Sequence, residues 1–160
     1  MSVLLAEEQL IDSLGSFWNL FNNIKMGRAE GILGLSCSET GFGLDRYLGS
    51  SKPIGVIQNP GGCCGHKWRP TVQQVLSLVS HPNQIKDIVF FTHSGCRFLE
   101  ADTHFLHVMR QFRHLATFDQ LGNQLVRKKI RLHAWMEGDR GQFLVLHPEK
   151  LQFVSPLALR

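Results

Sequence analysis

No stretch of this 160-residue chain approaches the roughly 18–20 uninterrupted apolar residues of a helical membrane span, so no membrane partner is expected. Cysteine is scarce: Cys37, Cys63, Cys64 and Cys96 are too few and too unevenly placed for a disulfide scaffold, which leaves burial or metal binding to explain them. Glu7 and Glu8 stand near the N-terminus without the basic and apolar regions of a secretory signal. The expected location is therefore cytoplasmic, where thiols stay reduced. Charge is modest, at net +4, and the densest basic run, Arg127-Lys128-Lys129 with Arg131, lacks interleaved aromatics, so nucleic acid is not an expected partner. No Gly-x-Gly-x-x-Gly follows a strand, no Cys-x-x-Cys pair exists, and the sixth position after Cys37 is Gly43 rather than arginine. Dinucleotide binding, dithiol redox chemistry and phosphatase-type thiol chemistry are thereby excluded.

Two apolar runs ending in metal-ligating residues stand out. Gly31-Ile32-Leu33-Gly34-Leu35-Ser36 closes on Cys37, and Ile88-Val89-Phe90-Phe91-Thr92 closes on His93-Ser94-Gly95-Cys96. Runs of this composition bounded by Gly and Ser read as buried strands. If the two are parallel neighbours, Cys37, His93 and Cys96 converge at one edge of the sheet. Two thiolates and an imidazole are a zinc donor set, and three protein ligands leave a fourth position for chemistry. The bland alternative is two buried cysteines and a histidine capping a strand.

The length suits one domain spanning 1–160. Within it, 1–27 reads as an N-terminal helix ending near Gly27, with Leu10, Leu14, Phe17, Phe21 and Ile24 in a stripe that Ile11 and Trp18 widen. So apolar a stripe must pack on the body of the domain or on a second copy, and dimerisation is the expectation. A strand over Ile54–Ile57 ends at Asn59-Pro60-Gly61-Gly62. Thr71 and Gln74 suggest a capping box opening a helix that carries Val72, Val75, Leu76 and Val79. Helical spacing recurs from Phe98 to Phe112, with a restart near Asp102, and again over Asp119–Lys129. Strands follow at Ile130–Trp135 and Gln142–Leu146, joined by a turn short enough for a hairpin. This alternation predicts an α/β fold: a parallel-core sheet flanked by helices, with an antiparallel C-terminal edge strand. Cys63-Cys64-Gly65-His66 reads as a loop near the site mouth, and His104, His107, Gln111 and His114 as a polar helix face opposite Phe105 and Phe112.

In order, these pieces resemble the β-class carbonic anhydrases. Cys37 matches the cysteine of the family's Cys-x-Asp-x-Arg segment, and His93 and Cys96 match its His-x-x-Cys. Gln58-Asn59-Pro60-Gly61-Gly62 is similar to its Arg-Asn-Ala-Gly segment, and Leu132-His133-Ala134-Trp135 with the following turn to its late His-Gly-Trp strand and hairpin. The resemblance implies a Zn2+ cofactor on Cys37, His93 and Cys96, and reversible hydration of CO2 to bicarbonate by a zinc lyase. It also implies a homodimer or higher homo-oligomer. Glu39 stands at the family's aspartate and is the expected catalytic carboxylate, orienting the attacking water. Phe42, Gly61 and Gly62 are the expected substrate pocket. The family's arginine, however, is Gly41 here. Without that partner Glu39 is also a candidate fourth ligand, closing a Cys₂-His-Glu sphere and leaving CO2 hydration weak near neutral pH. Arg46 and Arg97 are the candidates to replace the guanidinium. Three functions follow: a carbonic anhydrase, a hydrolase of a related linear substrate such as CS2 or COS, and a non-catalytic zinc-binding relative. Elemental analysis is expected to find about one zinc per chain, released by His93→Ala or Cys96→Ala. Metal-free protein as purified, or full retention after Cys37→Ala, would refute this.

Overall fold

Successive residues of a strand point to opposite faces, and both faces of this sheet are covered. The computed structural model describes residues 7–39, 47, 54–80 and 85–159. Strands β1 (Ile32–Cys37), β2 (Gly55–Asn59), β3 (Asp87–His93), β4 (Arg131–Glu137), β5 (Phe143–His147) and β6 (Gln152–Val154) form one sheet in the order β2-β1-β3-β4-β5-β6. The first four pair in parallel, and β5 and β6 run antiparallel. This is the α/β architecture that the alternation predicts, with one strand more. The extra strand, β6, is only three residues long and follows the turn at Pro148-Glu149-Lys150-Leu151, too short a segment for a periodic signal.

Helices α1 (Glu7–Asp12), α3 (Arg69–Val79), α4 (His104–Ala116) and α5 (Asp119–Val126) bury their apolar sides on one face, against Leu33, Leu35, Ile88, Phe90, Leu132 and Ala134. Helix α2 (Phe17–Lys25) covers the other face, where Phe17, Leu20 and Ile24 meet Ile32, Val89, Phe91 and Trp135. The residues between them in the strands divide accordingly: Ile88 and Phe90 one way, Val89 and Phe91 the other.

The N-terminal segment is two helices rather than one. Between them the chain crosses the sheet edge beside the start of β4: Leu14 bridges Leu132, the Leu132 amide donates to Ser13 O, and the Gly15 amide donates to Leu132 O. Ser16 then caps α2 by accepting from the Asn19 amide. The stripe packs on the chain's own body, with Leu10, Phe17 and Ile24 buried and Leu14, Trp18 and Phe21 half-buried. Exposed stripe surface is therefore no argument for a second copy. The Thr71–Gln74 capping box is also absent. Helix α3 starts two residues earlier, at Arg69 with Pro70 in its first turn, and the Thr71 hydroxyl accepts from Asn59 Nδ2 instead.

Crossing close to β4 demands a glycine at position 15. A Cβ there would sit 2.5 Å from His133 Cε1 and 2.9 Å from Arg131 Cβ. Gly15→Ala is expected to destabilise the chain by about 1–3 kcal/mol through this overpacking, read as a lowered urea midpoint at unchanged slope. An unchanged midpoint would contradict the close approach.

Candidate metal centre

β1 and β3 are in register from Ile32↔Asp87 to Ser36↔Phe91, so Cys37 and His93 emerge at the same sheet edge. The turn after β3 needs positive φ at Gly95 (+66°) and returns Cys96 toward β1. The two buried sulfurs lie 3.7 Å apart. Two zinc–sulfur bonds of about 2.3 Å at the tetrahedral angle would place sulfurs about 3.8 Å apart. One ligating atom each from Cys37, Glu39, His93 and Cys96 all fall within 4.8 Å of one another.

The histidine is set for metal binding by its own backbone. His93 Nδ1 is 2.9 Å from Ser94 O, and a carbonyl only accepts, so Nδ1 carries the proton and Nε2 the lone pair. That Nε2 is buried with no hydrogen-bond partner, 3.9 Å from Glu39 Oε1. Leaving such an atom unsatisfied costs free energy that a metal ion on the lone pair would recover. His104 Nε2 donates to His93 O at 2.8 Å, tying the first turn of α4 to the strand end. Cys37 Sγ accepts from the Gly61 amide at 3.2 Å and the Glu39 amide at 3.4 Å. Burial pushes the Cys96 thiol up to about 11, against a backbone hydrogen bond at Phe98 and with the Cys37 sulfur beside it. A buried pair of thiolates at this spacing repel one another, and a cation between them removes the cost. The donor set fits zinc.

Glu39 has no partner in its own motif, yet it is held. Arg97, just after His-x-x-Cys, donates from Nε to Oε2 at 2.9 Å and from its amide to Oε1 at 3.3 Å. The guanidinium missing at Gly41 is thus supplied from the other strand's loop. Gly41, Phe42 and Arg46 lie outside the described residues. Gly61 and Gly62 are buried, and the Gly61 amide meets the site at Cys37 Sγ. At Gly61, φ is +75°, and a Cβ would sit 2.7 Å from Phe98 O.

Behind the sulfurs lies a buried polar network that the sequence pattern misassigns. His107 and Gln111 are fully buried, not part of a solvent-facing stripe. His107 Nε2 is 2.8 Å from Gly61 O, and Gln111 bonds both Glu100 Oε1 and the Cys64 amide, each at 2.7 Å. Asn59 closes the turn by accepting from the Cys63 amide and donating to Cys63 O. Cys63 and Cys64 are buried free thiols packed behind this turn; burial pushes Cys63 up to about 12. A histidine and a glutamine one helical turn apart read equally as a solvated face or a buried pair, and only the turn they meet decides.

Partial burial raises the Glu39 carboxyl, but the Arg97 amide and guanidinium and the His93 ring outweigh it and hold it below its ordinary 4.5. The stabilisation from this pair is therefore present above pH 4.5 and lost as pH falls through the lowered value. In Arg97→Ala the Glu39 carboxyl is expected to titrate higher than in the parent chain, as measured by side-chain carbonyl NMR; an unmoved titration would show that Arg97 does not hold it.

No family model and no curated protein matches the chain. Solved structures do. The β-carbonic anhydrase CcaA superimposes with TM-score 0.55 at 17% identity, over 88% of this chain and 90% of that one. A structure from a study of two tetrameric β-carbonic anhydrases of the filamentous ascomycete Sordaria macrospora gives 0.59 at 16%, over 81% and 87%. The β-carbonic anhydrase CafA of the fungal pathogen Aspergillus fumigatus gives 0.59 at 13%, over 88% and 86%. The mostly parallel sheet, its flanking helices and its antiparallel edge match these neighbours, and the fold of this chain is the β-carbonic anhydrase fold.

Proposed function

We propose that the chain is a zinc-dependent enzyme of carbonic anhydrase type, hydrating CO2 reversibly to bicarbonate. The observation that carries this reading is the buried, unpartnered Nε2 of His93 facing two sulfurs at 3.7 Å, with a carboxylate restrained beside them. Cys37, His93 and Cys96 would hold the metal. Zinc, when bound, supplies Lewis acidity and a water acidified enough to act as nucleophile near neutral pH. The chain's own residues supply the rest. The Gly61 and Glu39 amides disperse charge on Cys37 Sγ, and the Ser94 carbonyl keeps the proton of His93 on Nδ1. Glu39, its Oε2 committed to Arg97, accepts a hydrogen bond from the attacking water and orients it toward carbon. Phe42 is proposed as the apolar contact for the linear substrate. Assembly with further copies of this chain is proposed on the likeness to the tetrameric Sordaria enzymes, and light scattering tests it.

A second reading has its own observation. A Glu39 carboxylate oxygen lies within 4.8 Å of the other three donors and could complete the sphere itself, which would make the protein a non-catalytic zinc binder. The two readings differ in what Arg97 does. If it restrains Glu39, zinc-loaded protein is active at about pH 7, and Arg97→Ala loses roughly 10- to 100-fold in kcat/KM with zinc content unchanged. Part of that loss returns at about pH 8.5, where hydroxide competes better with a freed carboxylate, and Arg97→Lys falls between. Parent protein inactive at neutral pH and indifferent to Arg97→Ala would favour the closed site.

A further inference from the structure

The Gly61 turn is clamped from α4 by polar groups buried deeply enough to demand an explanation. His107 is wholly buried, and burial, the larger influence, lowers its pKa although the Gly61 carbonyl and Glu100 favour the charged form. Its proton can be placed by geometry. Nδ1 is 2.9 Å from the Glu100 amide and must accept from it, so the neutral ring carries its proton on Nε2 and donates it to the Gly61 carbonyl. Gln111, itself fully buried, in turn holds the Glu100 carboxylate. Gly61 and Gly62 are both at positive φ, and it is the Gly61 amide that reaches Cys37 Sγ. A hydrophobic side chain at position 107 would fill the same space but leave both the Gly61 carbonyl and the Glu100 amide unpaired.

We propose that His107 is a positioning residue of the metal centre: by holding the Gly61 carbonyl it keeps the Gly61 amide on Cys37 Sγ and so sets the donor strength of that thiolate toward the ion. This rests on the reading that Cys37, His93 and Cys96 hold a metal. An N–H···S bond disperses the charge of the buried thiolate and fixes which lone pair faces the ion, and its worth depends on direction. With its carbonyl released, Gly61 can rotate, and the bond is lost without any change in the ligands themselves.

The test uses the full chain loaded with cobalt(II), followed by chelator competition and by the thiolate-to-cobalt charge-transfer band. His107→Leu is expected to weaken cobalt binding roughly 10- to 100-fold and to move the band. His107→Gln, whose amide can donate to Gly61 O and accept from the Glu100 amide, is expected to restore both. Leu10→Ala, which loosens the core far from the turn, should lower the melting temperature and leave affinity and band unchanged. If His107→Leu is recovered unfolded, His107→Asn, too short to hold both partners, carries the same comparison. Parent-like affinity and band in the loss variant overturn the inference, and so does an equal change in Leu10→Ala. Parent protein that takes up no cobalt removes the site reading and this inference together, whereas a cobalt-binding parent with an indifferent position 107 removes the inference alone.

Discussion

Parallel pairing of β1 with β3 is the constraint on which the rest depends. Five residue pairs, from Ile32↔Asp87 to Ser36↔Phe91, bring together two strand ends that lie more than fifty residues apart in sequence. A slip of one residue would turn Cys37 to the opposite face of its strand and expose alternate core residues on both sides. The register is protected by burial: all six residues of β1 and the central five of β3 are buried, so no slipped pairing keeps the two apolar faces satisfied. Ligand placement is in this sense a by-product of core formation.

The loops then refine what the strands place. β3 delivers His93, Gly95 turns the chain, and the same short loop delivers both Cys96 and Arg97. One loop thus carries a sulfur donor and the guanidinium that restrains the carboxylate. The Arg97–Glu39 pair contributes little to stability, since the arginine side chain is largely exposed. Its worth is orientational: the guanidinium takes Oε2, and the Arg97 amide steadies Oε1 where it faces His93. Behind the sulfurs the opposite economy holds. Asn59, His107 and Gln111 are buried, hydrogen-bonded and expensive to leave unpaired. A rigid turn results, at the place where the Gly61 amide meets Cys37.

The two ends of β4 show how far the same sheet serves packing alone. His133 Nε2 is 2.7 Å from Asp87 Oδ1, a pair at the foot of the sheet remote from the sulfurs. Its ring also blocks any side chain at position 15, where the N-terminal segment crosses from one face to the other. At the far end, Trp135 anchors the aromatic cluster with Phe17 and Phe143 that seats α2. An N-terminal segment folded onto both faces in this way is part of the domain's core.

The sequence by itself determined the α/β class, the parallel core, the hairpin at its edge and the convergence of Cys37, His93 and Cys96. Strand composition and ligand residues at strand ends are local signals, and parallel pairing follows from the alternation of strands and helices. Other features were decided only in three dimensions, because each depends on which surfaces meet. The break at Ser13–Ser16 exists because β4 offers an unpaired edge beside Leu132, although Gly15-Ser16 was a readable sign of it. The burial of His107 and Gln111 depends on the turn they face, and helical periodicity is the same for a wet stripe and a buried one. Arg97 reaches Glu39 across 58 positions of sequence, a pairing that no motif spacing encodes. It exists because the β1–β3 register sets two loops side by side.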